Sequence, residues 1–154
     1  MKIIIKVVGG VLSIFFLQLF LCAQDSDIKF RYITVEDGLS QGSINCIHQD
    51  SQGFLWFGTK QGLNRYDGYR IDVFDHDPMD DSSLNHNTVN CIAEDEHGNL
   101  WIGTTAGLNR FDYKTQKFER IISDPSVQNR MSGDTVFSIL GDKDGILWIG
   151  TANK

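Results

Sequence analysis

Three segments of this chain align in register without a gap, and that alignment leaves the fold few options. Residues 44–59, 89–104 and 136–151 share Asp, Gly, Leu, Trp, Gly and Thr at fixed offsets. The shared positions include Asp50, Gly53, Trp56 and Gly58 in the first copy. They are Asp95, Gly98, Trp101 and Gly103 in the second, and Asp142, Gly145, Trp148 and Gly150 in the third. The tryptophans stand 45 and 47 residues apart. A period in that range, made of short strands, is what one β-propeller blade per repeat produces.

Each repeat reads as a run of strands. In the second copy, residues 89–94 are β-branched and apolar enough for a first strand. Asp95 to Gly98 forms a tight turn, because Asp bonds its own backbone and Gly takes positive φ. Residues 100–104 return. After a turn at Gly107, matched by Gly62, residues 108–112 form a third strand echoed by 63–67. Residues 118–122 form a fourth, echoed by 71–74. Four strands joined by hairpins make one blade. In the first strand, strict alternation places Val89, Cys91 and Ala93 on one face and Asn90, Ile92 and Glu94 on the other. Neither face is polar, as a sheet packed on both sides requires. The tryptophans recur with the scaffold and read as packing between blades, not as ligand platforms.

The fold class expected is all-β: a partial β-propeller of about two and a half four-stranded blades, at about 35–75, 80–122 and 131–154. The Asp/Pro/Ser segments 75–78 and 123–126 are the blade-to-blade connections.

The N-terminus has a different character. Lys2 and Lys6 precede an uncharged, largely apolar run, 7–21, which ends near the small residue Ala23. That run is short for a membrane span and has the parts of a secretory signal peptide, so 1–23 is assigned to the signal and 24–154 to the propeller. An uncleaved anchor over 3–21 is the competing reading. Cys22 follows Leu21, a poor context for lipid attachment. The whole chain carries a formal charge of −6, and loss of the leader removes two lysines and no acid. With no basic run, nucleic acid is excluded as the expected partner.

Reactive constellations are sparse. His48, His76, His86 and His97 show no metal-ligand spacing. Cys46 and Cys91 occupy equivalent positions of successive blades, and the third copy has Ser138 there. Stacked sheets lie about 10 Å apart, too far for a disulfide, so both read as small core residues. Asp142-Lys143-Asp144-Gly145 looks like half a calcium loop, but no glutamate follows at the required offset. Arg65 and Arg110 repeat with the scaffold and read as partners of nearby acids. No catalytic residue, cofactor site or metal site is expected.

The repeat resembles the two-component regulator propeller repeat, D-x-x-G-x-L-W-[IF]-G-T-x-x-G-L-[NS]-R-[YF]-D. It matches over residues 50–67 and 95–112 in full and over 142–151 in part; the resemblance as a whole spans about 30–151. The resemblance implies the N-terminal part of a periplasmic sensor from a hybrid two-component system, anchored in the inner membrane and responding to an oligosaccharide. Its other implied partners are the remaining blades and, in the intact parent, a second copy of the protein. Residues 30–34 would then supply the fourth strand of the parent's last blade. Two alternatives stand beside it. An exported sialidase-like glycosidase is suggested by the Asp turn, though no Arg/Tyr/Glu set stands apart from the repeat. A non-signalling interaction scaffold is the other.

Overall fold

The computed structural model describes residues 29–121 and 135–152, and residues 33–154 form one compact unit. The signal-peptide assignment and the 123–126 connection lie outside the described residues. The first described element is a single 3-10 turn, Val35–Asp37. Thr34 caps it: its hydroxyl accepts from the Glu36 amide, and Asp37 reaches back to the Thr34 amide at 2.8 Å. This is a reciprocal cap that satisfies donors the turn itself leaves free. Residues 30–34 lie in no strand.

All other regular structure among the described residues is β. Strands β1 (Ile44–Gln49), β2 (Leu55–Thr59), β3 (Gly62–Tyr66) and β4 (Ile71–Phe74) form one antiparallel sheet in sequence order. Strands β5 (Val89–Glu94), β6 (Leu100–Thr104), β7 (Gly107–Asp112) and β8 (Lys117–Ile121) repeat it. Strands β9 (Val136–Gly141) and β10 (Leu147–Thr151) pair as the opening hairpin of a third. Register repeats as well: His48 opposes Trp56, Trp56 opposes Arg65 and Arg65 opposes Asp72. In the second sheet the same row is Ala93, Trp101, Arg110 and Glu119.

The turn chemistry is the same three times. The Gly53, Gly98 and Gly145 amides donate to the Asp50, Asp95 and Asp142 carbonyls, with glycine φ of 92°, 77° and 75°. One carboxylate oxygen of each Asp accepts two further amides: Gln52 and Phe54, His97 and Asn99, Asp144 and Ile146. The aspartate thus closes its own turn, and only glycine takes the fourth position without strain.

The core lies between the sheets. One cluster joins Trp56 and Leu63 of the first blade to Leu84, Val89, Leu100, Ile102, Phe111 and Phe118. A smaller one, Leu39, Phe57 and Tyr66, covers the first blade's other face. The edge strands β1, β5 and β9 lie side by side, so the blades fan from one common line.

Candidate functional site

The second carboxylate oxygen of each turn aspartate has a task the spacing alone did not reveal. It accepts the indole Nε1–H of its own blade's tryptophan: Trp56 to Asp50 at 2.7 Å, Trp101 to Asp95 at 2.8 Å and Trp148 to Asp142 at 2.8 Å. An indole in a core needs an acceptor, and here the turn supplies it. For Asp95, burial pushes the carboxyl pKa up, but hydrogen bonds from Trp101, Asn99 and His97 outweigh it and leave it below the usual range. The Trp148 indole, followed by the Ile146 amide, does the same for Asp142.

The second repeated glycine is a hollow filled from two sides. A Cβ on Gly58 would stand 2.7 Å from Val89 Cγ1 of the next blade and would collide with Cys46 Sγ of its own. On Gly103 it would stand 2.6 Å from Val136 Cγ1 and 2.5 Å from Cys91 Sγ. These positions are glycine because a neighbouring blade's first residue sits on them.

That seat corrects the strict alternation expected for the first strand. The register slips between Val89 and Cys91, as it does between Ile44 and Cys46. Val89 therefore faces the preceding blade, while Cys91 faces the following one. A β-bulge inserts one residue, and every side chain beyond it changes face. The bulged residue is Asn45 in the first blade and Asn90 in the second. Each donates its amide to the first residue of the next blade, Asn45 to the Val89 carbonyl at 2.8 Å and Asn90 to the Val136 carbonyl at 2.9 Å. Cys46 and Cys91 are free, and each points toward the blade that follows. Burial is the main cause that pushes Cys46 up to about 12 and Cys91 up to about 11.

Around Trp56 the first seam is aromatic. Trp56 is fully buried, with Phe111 edge-on at 5.0 Å and Phe74 stacked at 5.9 Å. Arg65 lies over Phe54, Trp56 and Phe74 at 5.0, 5.7 and 5.5 Å, and pairs with Asp72 at 2.7 Å. Its counterpart Arg110 pairs with Glu119 at 2.5 Å on a more exposed face. Two non-repeating groups tie the blades further. Tyr113 donates its phenol to Asp50 at 2.8 Å, and Glu94 accepts the Ser51 amide and hydroxyl at 2.7 and 2.6 Å.

At the opposite end of the blades, Asn64 and Asn109 are wholly buried. Each accepts the amide of the segment entering its own blade, Ser40 to Asn64 at 2.8 Å and Asn85 to Asn109 at 3.0 Å. Each also donates within its sheet, to the Phe57 and Ile102 carbonyls at 3.3 Å. Arg120 fixes the 80–84 connection through the carbonyls of Asp80, Ser83 and Leu84. These asparagines recur in the sequence, so the pattern contained a signal for them. Tyr113 and Glu94 had none.

The four histidines are scattered. His48 is half-buried on β1 with Nε2 unpartnered, and His76 contacts the Leu84 carbonyl at 2.7 Å. His86 caps the Thr88 amide, while His97 is exposed beside Glu96. Among the described residues, no set of three His, Cys, Asp or Glu could hold a metal. A groove of about 400 Å³ runs along the second blade's outer strands, lined by Asn99, Arg110, Tyr113, Lys114, Lys117 and Glu119.

Four-stranded sheets stacked through a repeated tryptophan, fanning from adjacent first strands, define successive blades of a β-propeller. The two-component regulator propeller family matches residues 38–61, 83–106 and 130–153. The chain is thus built of two-component regulator propeller repeats. Its backbone is similar to the extracellular domain of what is described as a hybrid two-component system from B. thetaiotaomicron. There the identity is 32% and the TM-score 0.69, over 77% of this chain and 17% of that one. A second such domain from the same organism shows 30% identity and a TM-score of 0.62, over 80% of this chain and 17% of the other. Histidine kinase P4 of Formosa agariphila is 42% identical over 79 residues, 49% of this chain and 6% of that protein. The chain therefore spans a small part of each relative. No described helix is long and apolar enough to cross a membrane.

Proposed function

We propose that this chain is the N-terminal part of a periplasmic ligand-sensing propeller in a hybrid two-component protein, and that the ligand is an oligosaccharide. Residues 1–23 act as its export signal, and blades at about 35–75, 80–122 and from 131 onward begin the ring. The observation that carries this reading is the threefold match to the regulator propeller repeat, together with 32% identity to the extracellular domain of a hybrid two-component system. The chemistry agrees. The repeat acids Asp50, Asp95 and Asp142 are each committed to their own turn and indole, the role of a scaffold and not of a carboxylate facing a cleft. The ligand is held by the parent's assembled ring, and the blades described here are its framework.

A glycan panel applied to the purified exported region of the parent tests the proposal, with retention and product release both recorded. Saturable binding of one oligosaccharide class without cleavage is the expected result. Turnover of any glycan would establish the glycosidase reading instead. Binding of a protein partner with no response to any glycan would favour the scaffold.

A further inference from the structure

The connection between the first two blades closes on itself. His76 Nδ1 donates to the Leu84 carbonyl at 2.7 Å, which draws the two ends of segment 76–84 together. Within that neck the Ser83 hydroxyl bridges the Asp77 amide and carbonyl at 2.9 and 3.0 Å. The Asp80 amide donates to the Asp77 carbonyl, the Ser83 amide to the Asp80 carbonyl, and the Asp80 carboxylate accepts the Ser82 amide at 2.8 Å. A loop with joined ends and its own internal bonds is an Ω-loop. Leu84 at its end is fully buried, whereas residues 77–81 are exposed and Ser82 and Ser83 are half-buried.

The loop docks on the second blade through Phe118 and Arg120 of β8. The Phe118 amide donates to the Ser82 carbonyl at 2.8 Å. Arg120 donates from Nε to the Ser83 carbonyl at 3.1 Å and from Nη2 to the Asp80 and Leu84 carbonyls at 2.9 and 3.2 Å, while Nη1 pairs with Asp81 at 3.2 Å. Arg120 opposes Asn109 in register, and Val73 stands opposite the equivalent Asn64, so this arginine is no part of the repeat. A groove of about 260 Å³ runs beneath, with Asp80, Ser82 and Ser83 on the loop side and Phe74, Lys117 and Phe118 on the blade side.

We propose that residues 77–83 form a hinged lid on this groove, latched by Arg120 and opening as one piece while the blades stay folded. Opening breaks the polar contacts to β8 but leaves Leu84 seated in the core, and no residue of 77–83 is itself buried. Polar docking without buried apolar anchors marks a segment that opens well below the global unfolding free energy. The internal bonds and the His76 neck keep the loop's shape as it swings. The device lies between two complete blades and requires no ligand.

Hydrogen exchange resolved to single amides, on the exported region of the intact parent, tests this. Arg120→Ala is expected to speed exchange of the Phe118 amide about tenfold or more, because that bond forms only when the lid is down. The Asp80 and Ser83 amides, bonded inside the loop, should keep their rates, as should the Phe54 and Asn99 amides of the blade turns. Arg120→Lys retains charge and stem but loses the planar fork, and should give a smaller change in the same direction if the alanine variant does not fold. An unchanged Phe118 rate in both variants would overturn the latch. Faster exchange at Asp80 and Ser83 would show local melting in place of a lid, and equal acceleration at Phe54 and Asn99 would show global unfolding; either overturns the proposal.

Discussion

Tyr113 of the second blade donates its phenol hydrogen to Asp50 of the first, 2.8 Å away, on the same carboxylate oxygen that receives the Trp56 indole. One buried carboxylate thus closes a turn, orients a core tryptophan and ties two blades together. Its four donors are the Gln52 and Phe54 amides, the indole and the phenol. Tyr113→Phe removes only the last of these and is expected to cost about 1.5–3 kcal/mol, as for a hydrogen bond to a charged group. Asp50→Ala strands the buried indole and opens the turn, and is expected to cost about 3 kcal/mol or more. Urea denaturation midpoints at constant m-value measure both. Equal costs would mean that the turn and the indole contribute nothing beyond the seam.

The glycine hollow gives a second test. Gly58→Ala places a methyl group within 2.7 Å of Val89 Cγ1, and is expected to destabilise by about 1–3 kcal/mol through overpacking. Removing the obstructing methyls with Val89→Ala should make the double variant more stable than the sum of the two single losses. Additive losses in that double-mutant cycle would show that the two residues do not meet.

Much of the fold was legible in the sequence because it rests on local chemistry that repeats. Asp and Gly at fixed offsets specify a turn, and a tryptophan six residues after each Asp specifies a blade. The bulge was not legible. Alternation predicts one face for Val89 and Cys91, and only pairing with β6 reveals the extra residue that turns Cys91 to the other side. The recurrent Asn45 and Asn90 mark the bulge, but their role depends on a carbonyl in the next sheet. Tyr113 was hidden for another reason: the first copy has Gly68 at that position, so no periodicity points to it, and its partner lies 63 residues away.

Arg65 and Arg110 hold one repeat position in two environments. The Arg65 side chain is 12% exposed over three aromatic rings, while that of Arg110 is 45% exposed with one acid. Arg65→Ala is therefore expected to cost about 2–3 kcal/mol, through lost packing, cation–π contact and the lost Asp72 ion pair. Arg110→Ala should cost less than about 1 kcal/mol and depend more on salt. Thermal melts of the two variants at low and high ionic strength distinguish them. A reversed order would contradict the seam as described.

Stability should fall above about pH 9 and below about pH 4. At the alkaline end, Cys46, Cys91 and Tyr113 have folded values raised above their usual 9.0 and 10.0, each mainly by burial. Above pH 9 the unfolded chain loses these protons before the folded one does, so stability falls as pH rises. At the acid end, Asp67, Asp80, Asp95, Asp112 and Asp142 are held below their usual 3.8. Their contribution is complete above that value and is lost as pH falls through the lower folded values. A melting temperature that rises between pH 9 and 11 would contradict the burial of the thiols.

The order of the blades is the centre of this account, and the three tryptophans report it directly. Trp56 is fully buried in a completed seam, Trp101 is half-buried, and Trp148 is 59% exposed, although all three indoles donate to an aspartate of their own turn. Hydrogen exchange of the three indole N–H signals, resolved by ¹H–¹⁵N correlation and assigned by single Trp→Phe variants, measures that burial in solution. The account predicts three distinct signals, with Trp56 exchanging slowest, Trp101 next and Trp148 fastest. Equal rates for all three, or protection of Trp148 above that of Trp56, would contradict the stacking of the repeats as successive blades.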